Sequence, residues 1–270
     1  MSEAPIGVFD SGVGGLTVLR ALLAELPHER FIYLGDTARL PYGTKSPATV
    51  ARYAATAAAA LAARDLKCLV VACNTASASS LPAMREELPG VPIVGVIEPG
   101  AEAACEASAS GRIAVIATEG TVNGGAYQEA ILRRRGDARI LAIATQLFVS
   151  LAEEGLVGGP IALAVARHYL AALSAQASDA PDTLVLGCTH FPMLLDTIRA
   201  VVGERMRIVD SAATTAREVR RLMEDAGLAR RAGTFAVRFL ASDSAERFAR
   251  VGSRFLERPI AAADVEVIDL

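Results

Sequence analysis

The stretch Leu69-Val70-Val71-Ala72-Cys73-Asn74-Thr75 decides the fold, because a short apolar run ends there on polar residues and passes into the helix-forming Ala76-Ser77-Ala78. The other half of the chain repeats the construction, with Leu184-Val185-Leu186-Gly187 ahead of Cys188-Thr189-His190. Strand-like apolar runs of this kind recur at 6–9, 31–34, 68–72, 93–96, 113–116, 139–142, 183–186 and 207–209 and alternate with longer helical patterns. Such alternation argues for an α/β fold with largely parallel sheets flanked by helices. Leu16, Leu19, Leu22, Leu23 and Leu26 have the spacing of a helix that buries one face, and Gly14-Gly15 supplies its entry turn.

The chain has 270 residues, enough for two modest domains. We read 6–96 as one βαβ set and 112–209 as a second, with the first crossing at Glu98-Pro99-Gly100. The tail reads as a helix at 214–226, a strand at 235–240, a helix at 244–256 and a strand at 265–268. It is expected to return to the first domain, because Asp210-Ser211 resembles the break at Asp10-Ser11. The expected division is therefore 1–97 plus 210–270 against 98–209, two similar domains with the active site in the cleft between them.

A net charge of −3, from 27 basic and 30 acidic residues, offers none of the positive excess that non-specific nucleic-acid binding needs. No nucleic-acid partner is expected. The N-terminal Met1-Ser2-Glu3-Ala4-Pro5 lacks a basic region and meets Asp10 before any signal-like apolar stretch. The apolar run 54–63 is far short of the ~20 residues of a spanning helix. A cytoplasmic protein with no membrane partner is the expectation. Four cysteines in such a chain read as free thiols. The two lysines, Lys45 and Lys67, stand in no evident cofactor context, which argues against a Schiff-base chemistry.

Ligands of open parallel sheets bind outside the carboxyl ends of the strands, so polar residues just after an apolar run are the first site candidates. Four clusters qualify: Asp10-Ser11-Gly12, Cys73-Asn74-Thr75, Thr118-Glu119-Gly120-Thr121 and Cys188-Thr189-His190. A cysteine at a strand end facing a helix N-terminus has N–H donors and a positive dipole end beside it, which lower its pKa and allow it to act as a base. The alternative is a small buried hydrophobe. That reading suits Cys68 and Cys105, which have no polar company. Asp10 can exchange a proton with a thiol or bind an ammonium group, or it can cap a helix. His190 can tune Cys188 or serve structure. His28 and His168 sit in helical contexts as solvent or packing residues. The turn Gly12-Val13-Gly14-Gly15 lacks the features of a dinucleotide or P-loop site, and no cluster has metal-ligand spacing.

Four segments carry a resemblance to glutamate racemase, within the aspartate/glutamate racemase superfamily. They are Gly7-Val8-Phe9-Asp10-Ser11-Gly12-Val13-Gly14-Gly15, Leu34-Gly35-Asp36-Thr37-Ala38-Arg39-Leu40-Pro41-Tyr42-Gly43, Val71-Ala72-Cys73-Asn74-Thr75-Ala76-Ser77-Ala78 and Gly187-Cys188-Thr189-His190-Phe191-Pro192. The resemblance implies a cofactor-independent isomerase that interconverts L- and D-glutamate and supplies the D-form for peptidoglycan. It implies Cys73 and Cys188 as the two acid/bases, assisted by Asp10 and His190 respectively. It also implies a pocket lined by Asp10, Ser11, Pro41, Tyr42, Gly43, Asn74, Thr75, Thr118, Thr121, Thr189 and His190, and it leaves a homodimer open. Glu153 resembles the family's auxiliary acid near the second cysteine, or is an ordinary exposed helical residue. Thr145-Gln146 departs from the family's frequent Cys-Pro, and Ser150 from its proline.

Racemisation takes a hydrogen from one face of the α-carbon and returns one to the other, which two bases do more readily than one. Aspartate or hydantoin racemisation is a competing enzyme reading. An amino-acid binding protein leaves the paired thiols without a purpose. A cysteine hydrolase using Cys188 and His190 leaves the second thiol unexplained.

Overall fold

The computed structural model describes residues 3–173 and 180–270; Met1 and Ser2, at the head of the stretch read above, lie outside the described residues. Among the described residues the strands are β1 (Ile6–Asp10), β2 (Arg30–Gly35), β3 (Cys68–Val71), β4 (Ile93–Gly95), β5 (Arg112–Ala117), β6 (Arg139–Ala144), β7 (Thr183–Gly187), β8 (Arg207–Asp210), β9 (Ala236–Ala241) and β10 (Val265–Val267). They form two sheets, in the orders β10-β9-β2-β1-β3-β4 and β6-β5-β7-β8. Every ladder is parallel. The fold is thus α/β with two helix-flanked parallel sheets, and the tail strands add to the first sheet beside β2.

Why the strands read as unbroken apolar runs follows from this cover. Ile6 and Val8 of β1 pack toward Leu16, Leu19 and Leu22 of one flanking helix, while Phe9 packs toward Ala54, Ala57 and Leu61 on the other face. Alternate residues serve opposite faces and both faces are buried. The first helix, Leu16–Glu25, buries Leu16, Val18, Leu19, Leu22 and Leu23, the stripe expected from their spacing.

The two sheets share one construction. From the central β1 the chain steps to β2 on one side, then returns to β3 on the other; from β5 it steps to β6, then to β7. Each sheet therefore has its reversal of strand order beside the central strand, which is where such sheets hold ligands. Register places Phe9 opposite Val71 and Ala117 opposite Gly187. The residues just beyond, Asp10 with Ser11 and Cys73 in one sheet and Thr118 with Cys188 in the other, emerge at these two reversals.

Two local expectations change and a third gains detail. Glu98-Pro99-Gly100, the expected first crossing, forms the opening of a helix, Ile97–Ala107. Pro99 is tolerated because first-turn N–H groups have no intrahelical acceptor. His28 sits in the turn ahead of β2, where Nδ1 meets the Gly233 carbonyl at 2.7 Å, rather than in a helix. The helix after β8 starts at Ser211, because Asp210 caps it through Ala212 N at 2.8 Å.

Candidate active site

Cys73 is the N-cap of a short helix, Asn74–Ser79, and its Sγ accepts the Ala76 N–H at 3.4 Å. Ser11 Oγ lies 3.5 Å away. The expected lowering of its pKa does not follow. Burial of the sulfur, and next the charge of Asp10, push the thiol up to about 12 against those two weak hydrogen bonds. In this arrangement Cys73 carries its proton.

Cys188 is built differently, despite the similar run before it. A 3-10 turn, Phe191–Leu194, follows it in place of an α-helix, with Pro192 at its start. Its neighbour is instead the imidazole of His190, whose Nδ1 is 3.7 Å from Sγ. His190 Nε2 in turn is 3.2 Å from Glu153 Oε1. Burial opposes a charged imidazole, but hydrogen bonding to Cys188 and Glu153, with the charges of Cys188 and Asp10, raises His190 to about 10. Burial likewise opposes ionisation of Glu153, yet His190 and Arg247 outweigh it and hold the carboxyl below its usual range. Glu153 is thus no free helical residue, its side chain being 11 % exposed.

Asp10 does not cap the first helix, whose cap is Gly15. Its Oδ2 accepts the Gly12 N–H at 2.9 Å, while the buried Oδ1 has no partner. Burial raises its pKa, against the opposing charge of His190. Asn74 Oδ1 accepts from Tyr127 at 2.8 Å and its buried Nδ2 is also without a partner. A donor and an acceptor are therefore left open among buried groups, which is costly unless a ligand uses them.

Side chains from both sheets close over these groups. Thr75 Oγ1 bonds Thr118 Oγ1 at 2.9 Å and Thr121 Oγ1 at 3.2 Å, joining the Cys73 helix to the end of β5. An added Cβ at Gly43 would collide with Thr118, and one at Gly14 with the His190 ring and Thr189 Oγ1. Both glycines permit the two halves to touch. Tyr42 donates to the buried Asp36, which also accepts from Arg39 Nε at 2.7 Å and Ser242 Oγ at 2.8 Å. That hub fixes the loop carrying Pro41, Tyr42 and Gly43.

One cavity is lined by both cysteines, together with Ser11, Pro41, Tyr42, Gly43, Asn74, Thr75, Thr118, Thr189 and His190. Its free volume is about 30 Å³, roughly the room of one water. Asp10, Thr121 and Glu153 stand behind that wall and reach it through neighbours. A wider groove of about 450 Å³ lies between Arg85, Glu98, Glu102, Arg133, Arg134 and Arg221. Arg133 and Arg134 pair there with Glu98, and neither cysteine enters it. Among the described residues no group of His, Cys, Asp and Glu is arranged to hold a metal ion. Lys67 is buried against Glu29 at 2.6 Å.

Sequence reasoning missed Leu40, Gln146 and Val149 in the cavity wall, Tyr127 behind Asn74, and Arg247, Arg254 and Phe255 behind the Cys188 arm. Gln146 had a signal, as the departure from Cys-Pro, and Leu40 lies inside one of the segments that carry the resemblance. The others are an ordinary tyrosine, ordinary arginines and core residues whose partners are remote in sequence.

Two helix-flanked parallel sheets, each bringing one cysteine to a shared cavity, define the class of the protein as α/β. Residues 6–219 match the family Asp/Glu/Hydantoin racemase. A glutamate racemase of Geobacter metallireducens is 49% identical over 252 residues, covering 93% of this chain and 92% of that protein. A glutamate racemase of Francisella tularensis solved in complex with D-glutamate superimposes with a TM-score of 0.92 at 33% identity, covering 100% of this chain and 98% of that one. A glutamate racemase isoform from Bacillus anthracis gives a TM-score of 0.93 at 34% identity, covering 100% and 99%. The chain belongs to the Asp/Glu/Hydantoin racemase family and is an amino-acid racemase, an isomerase acting on a small molecule. No helix among its described residues is long and apolar enough to cross a membrane.

Proposed function

We propose that this chain interconverts L- and D-glutamate by proton transfer between Cys73 and Cys188, and so supplies D-glutamate for peptidoglycan. The observation that carries the mechanism is that sulfurs from two different sheets line a single cavity. One thiolate takes the α-hydrogen and leaves a carbanion conjugated with the α-carboxylate; the opposite thiol returns a hydrogen to the other face. The reverse direction exchanges the two roles. The choice of glutamate is supported by glutamate racemases to which this chain is similar over 93% or more of its length.

The two arms are served by different partners, Asp10 beside Cys73 and His190 with Glu153 beside Cys188. General acid–base help of this kind supplies about 10²–10⁴-fold. The rest comes from holding the stereocentre between the sulfurs and from donors aimed at the carboxylates. Asn74 Nδ2, Ser11, Thr75 and Thr189 are our assignment for those donors, while Asp10 acts from behind the wall through the Cys73 arm. We further read 1–97 with 210–270 as one lobe and 98–209 as the other, a division supported by the pairing of β9 with β2. A cavity of about 30 Å³ is smaller than an amino acid, so its walls must move to admit one.

Circular dichroism of L-glutamate incubated with pyridoxal-free, metal-free protein tests the activity, with D-aspartate turnover as the competing arm. Hydrogen–deuterium exchange at Cα in D₂O, comparing Cys73→Ala and Cys188→Ala, tests the mechanism. Full racemisation by either variant would exclude two-thiol transfer.

A further inference from the structure

Glu153 lies in the last turn of a second-lobe helix, Leu147–Glu154, but it is held from the tail. The helix Ala245–Leu256 is rooted in the first lobe, where Phe248 packs on Tyr33 with ring centroids 5.8 Å apart. From that helix Arg247 Nη2 donates to Glu153 Oε2 at 2.9 Å. Arg254 Nη2 donates to the Glu153 backbone carbonyl, one of the helix-end acceptors that lack an intrahelical partner. Phe255 sets its ring edge-on to His190 at 5.2 Å. One tail helix therefore touches the His190–Glu153 pair at three points. None of the three residues reaches the cavity itself.

Glu153 uses its two oxygens separately, Oε1 toward His190 and Oε2 toward Arg247. A glutamate at a helix end has several rotamers, and the second anchor removes that freedom. The Arg247 side chain is 45% exposed, so its charge is screened by solvent and its value lies in geometry. The titratable and charged groups around the pair are Asp10, Cys188, Arg247 and Arg254.

We propose that Arg247 is a positioning residue for the Cys188 arm: by clamping Glu153 across the lobes it directs His190 at the sulfur, although it touches neither thiol nor substrate. The proposal rests on the two-thiol reading above. It predicts an effect confined to one of the two proton-transfer sites. L- and D-glutamate have equal energies, so any loss in kcat/KM is the same in both directions. The directional signature is instead the isotope effect. If transfer at Cys188 slows, α-deuterated substrate shows a larger effect for the enantiomer whose hydrogen Cys188 removes, and a smaller one for the other.

The experiment uses the full chain and compares Arg247→Ala, Arg247→Lys, Glu153→Ala and the Arg247→Ala/Glu153→Ala pair, with Arg250→Ala on the same helix as control. Expected are a drop in kcat of about 10-fold for Arg247→Ala, a part of what acid–base help supplies, with KM unchanged and partial recovery in Arg247→Lys. Arg250→Ala stays at wild-type activity. Adding Arg247→Ala to Glu153→Ala costs nothing further, because the two act as one unit. The substrate isotope effect moves in opposite senses for the two enantiomers. Undiminished kcat in Arg247→Ala, losses that add in the double variant, or isotope effects that move alike for both enantiomers would overturn the proposal. Arg247→Lys keeps the question decidable if the alanine variant unfolds. Failure of the two-thiol reading is seen separately, as racemisation by Cys188→Ala.

Discussion

Thr17 Oγ1 donates to the backbone carbonyl of Thr189 at 3.0 Å, across the boundary between the lobes. A side chain on the first helix thus pins the loop that carries Cys188 and His190, one turn beyond the Gly14 backbone that makes room for it. Gly14 O lies 2.9 Å from the same hydroxyl, so its single proton is shared between the two carbonyls. The placement of the second thiol therefore depends on residues of the first motif.

Gly14→Ala should separate the lobes, because the new methyl overlaps His190 and Thr189. A misplacement of about 1 Å can cost about 10²-fold in rate, and a fall of that order in kcat/KM is expected with the melting temperature little changed. Steady-state kinetics alongside thermal unfolding checks this; wild-type kcat/KM contradicts the close approach.

Tyr127→Phe removes the hydroxyl that holds Asn74 Oδ1 and leaves a buried acceptor unpaired. The expected cost is about 1–3 kcal/mol in stability, together with a higher KM because the Asn74 amide loses its orientation. Urea unfolding and substrate titration of the variant measure both. An unchanged KM would detach Asn74 from binding.

Stability should depend on pH through His190. Its pKa rises from 6.5 unfolded to about 10 folded, so the stability it contributes is full below the unfolded value and is lost as pH rises through the folded one. Glu153 has the opposite sense: its pKa is lowered from 4.5, and its contribution is lost as pH falls. Unfolding free energies of wild type and His190→Asn should differ most below the unfolded imidazole value, at about pH 5–6, and converge toward pH ~10. A gap that widens with pH would refute the charged imidazole.

Lys67 and Glu29 form an ion pair with side chains 2% and 1% exposed. Lys67 Nζ also donates to Leu228 O at 2.8 Å, and Glu29 Oε1 accepts Arg230 N at 2.8 Å, so the pair fastens the tail to the first lobe. Lys67→Met leaves a buried carboxylate uncompensated and should cost about 3–5 kcal/mol. Adding Glu29→Gln should restore much of it. Equal stability of single and double variants in urea would argue against the pair.

Much of this molecule was legible in one dimension. The runs at Ile6, Leu69 and Leu184 are apolar throughout because parallel strands are covered on both faces, and that pattern is local. The polar residues that follow them mark the carboxyl ends, where register brings Asp10 beside the Cys73 strand and Thr118 beside that of Cys188.

What the order of residues determined by itself was the α/β class, the candidate thiols and the family they resemble, since these depend on periodicity and short motifs. Tertiary structure alone decided the burial that pushes the Cys73 thiol up, the partners that raise His190, and the place of Arg247 behind Glu153. Burial and charge neighbours act through space, and the residues supplying them are separated along the chain by distances that no local pattern records.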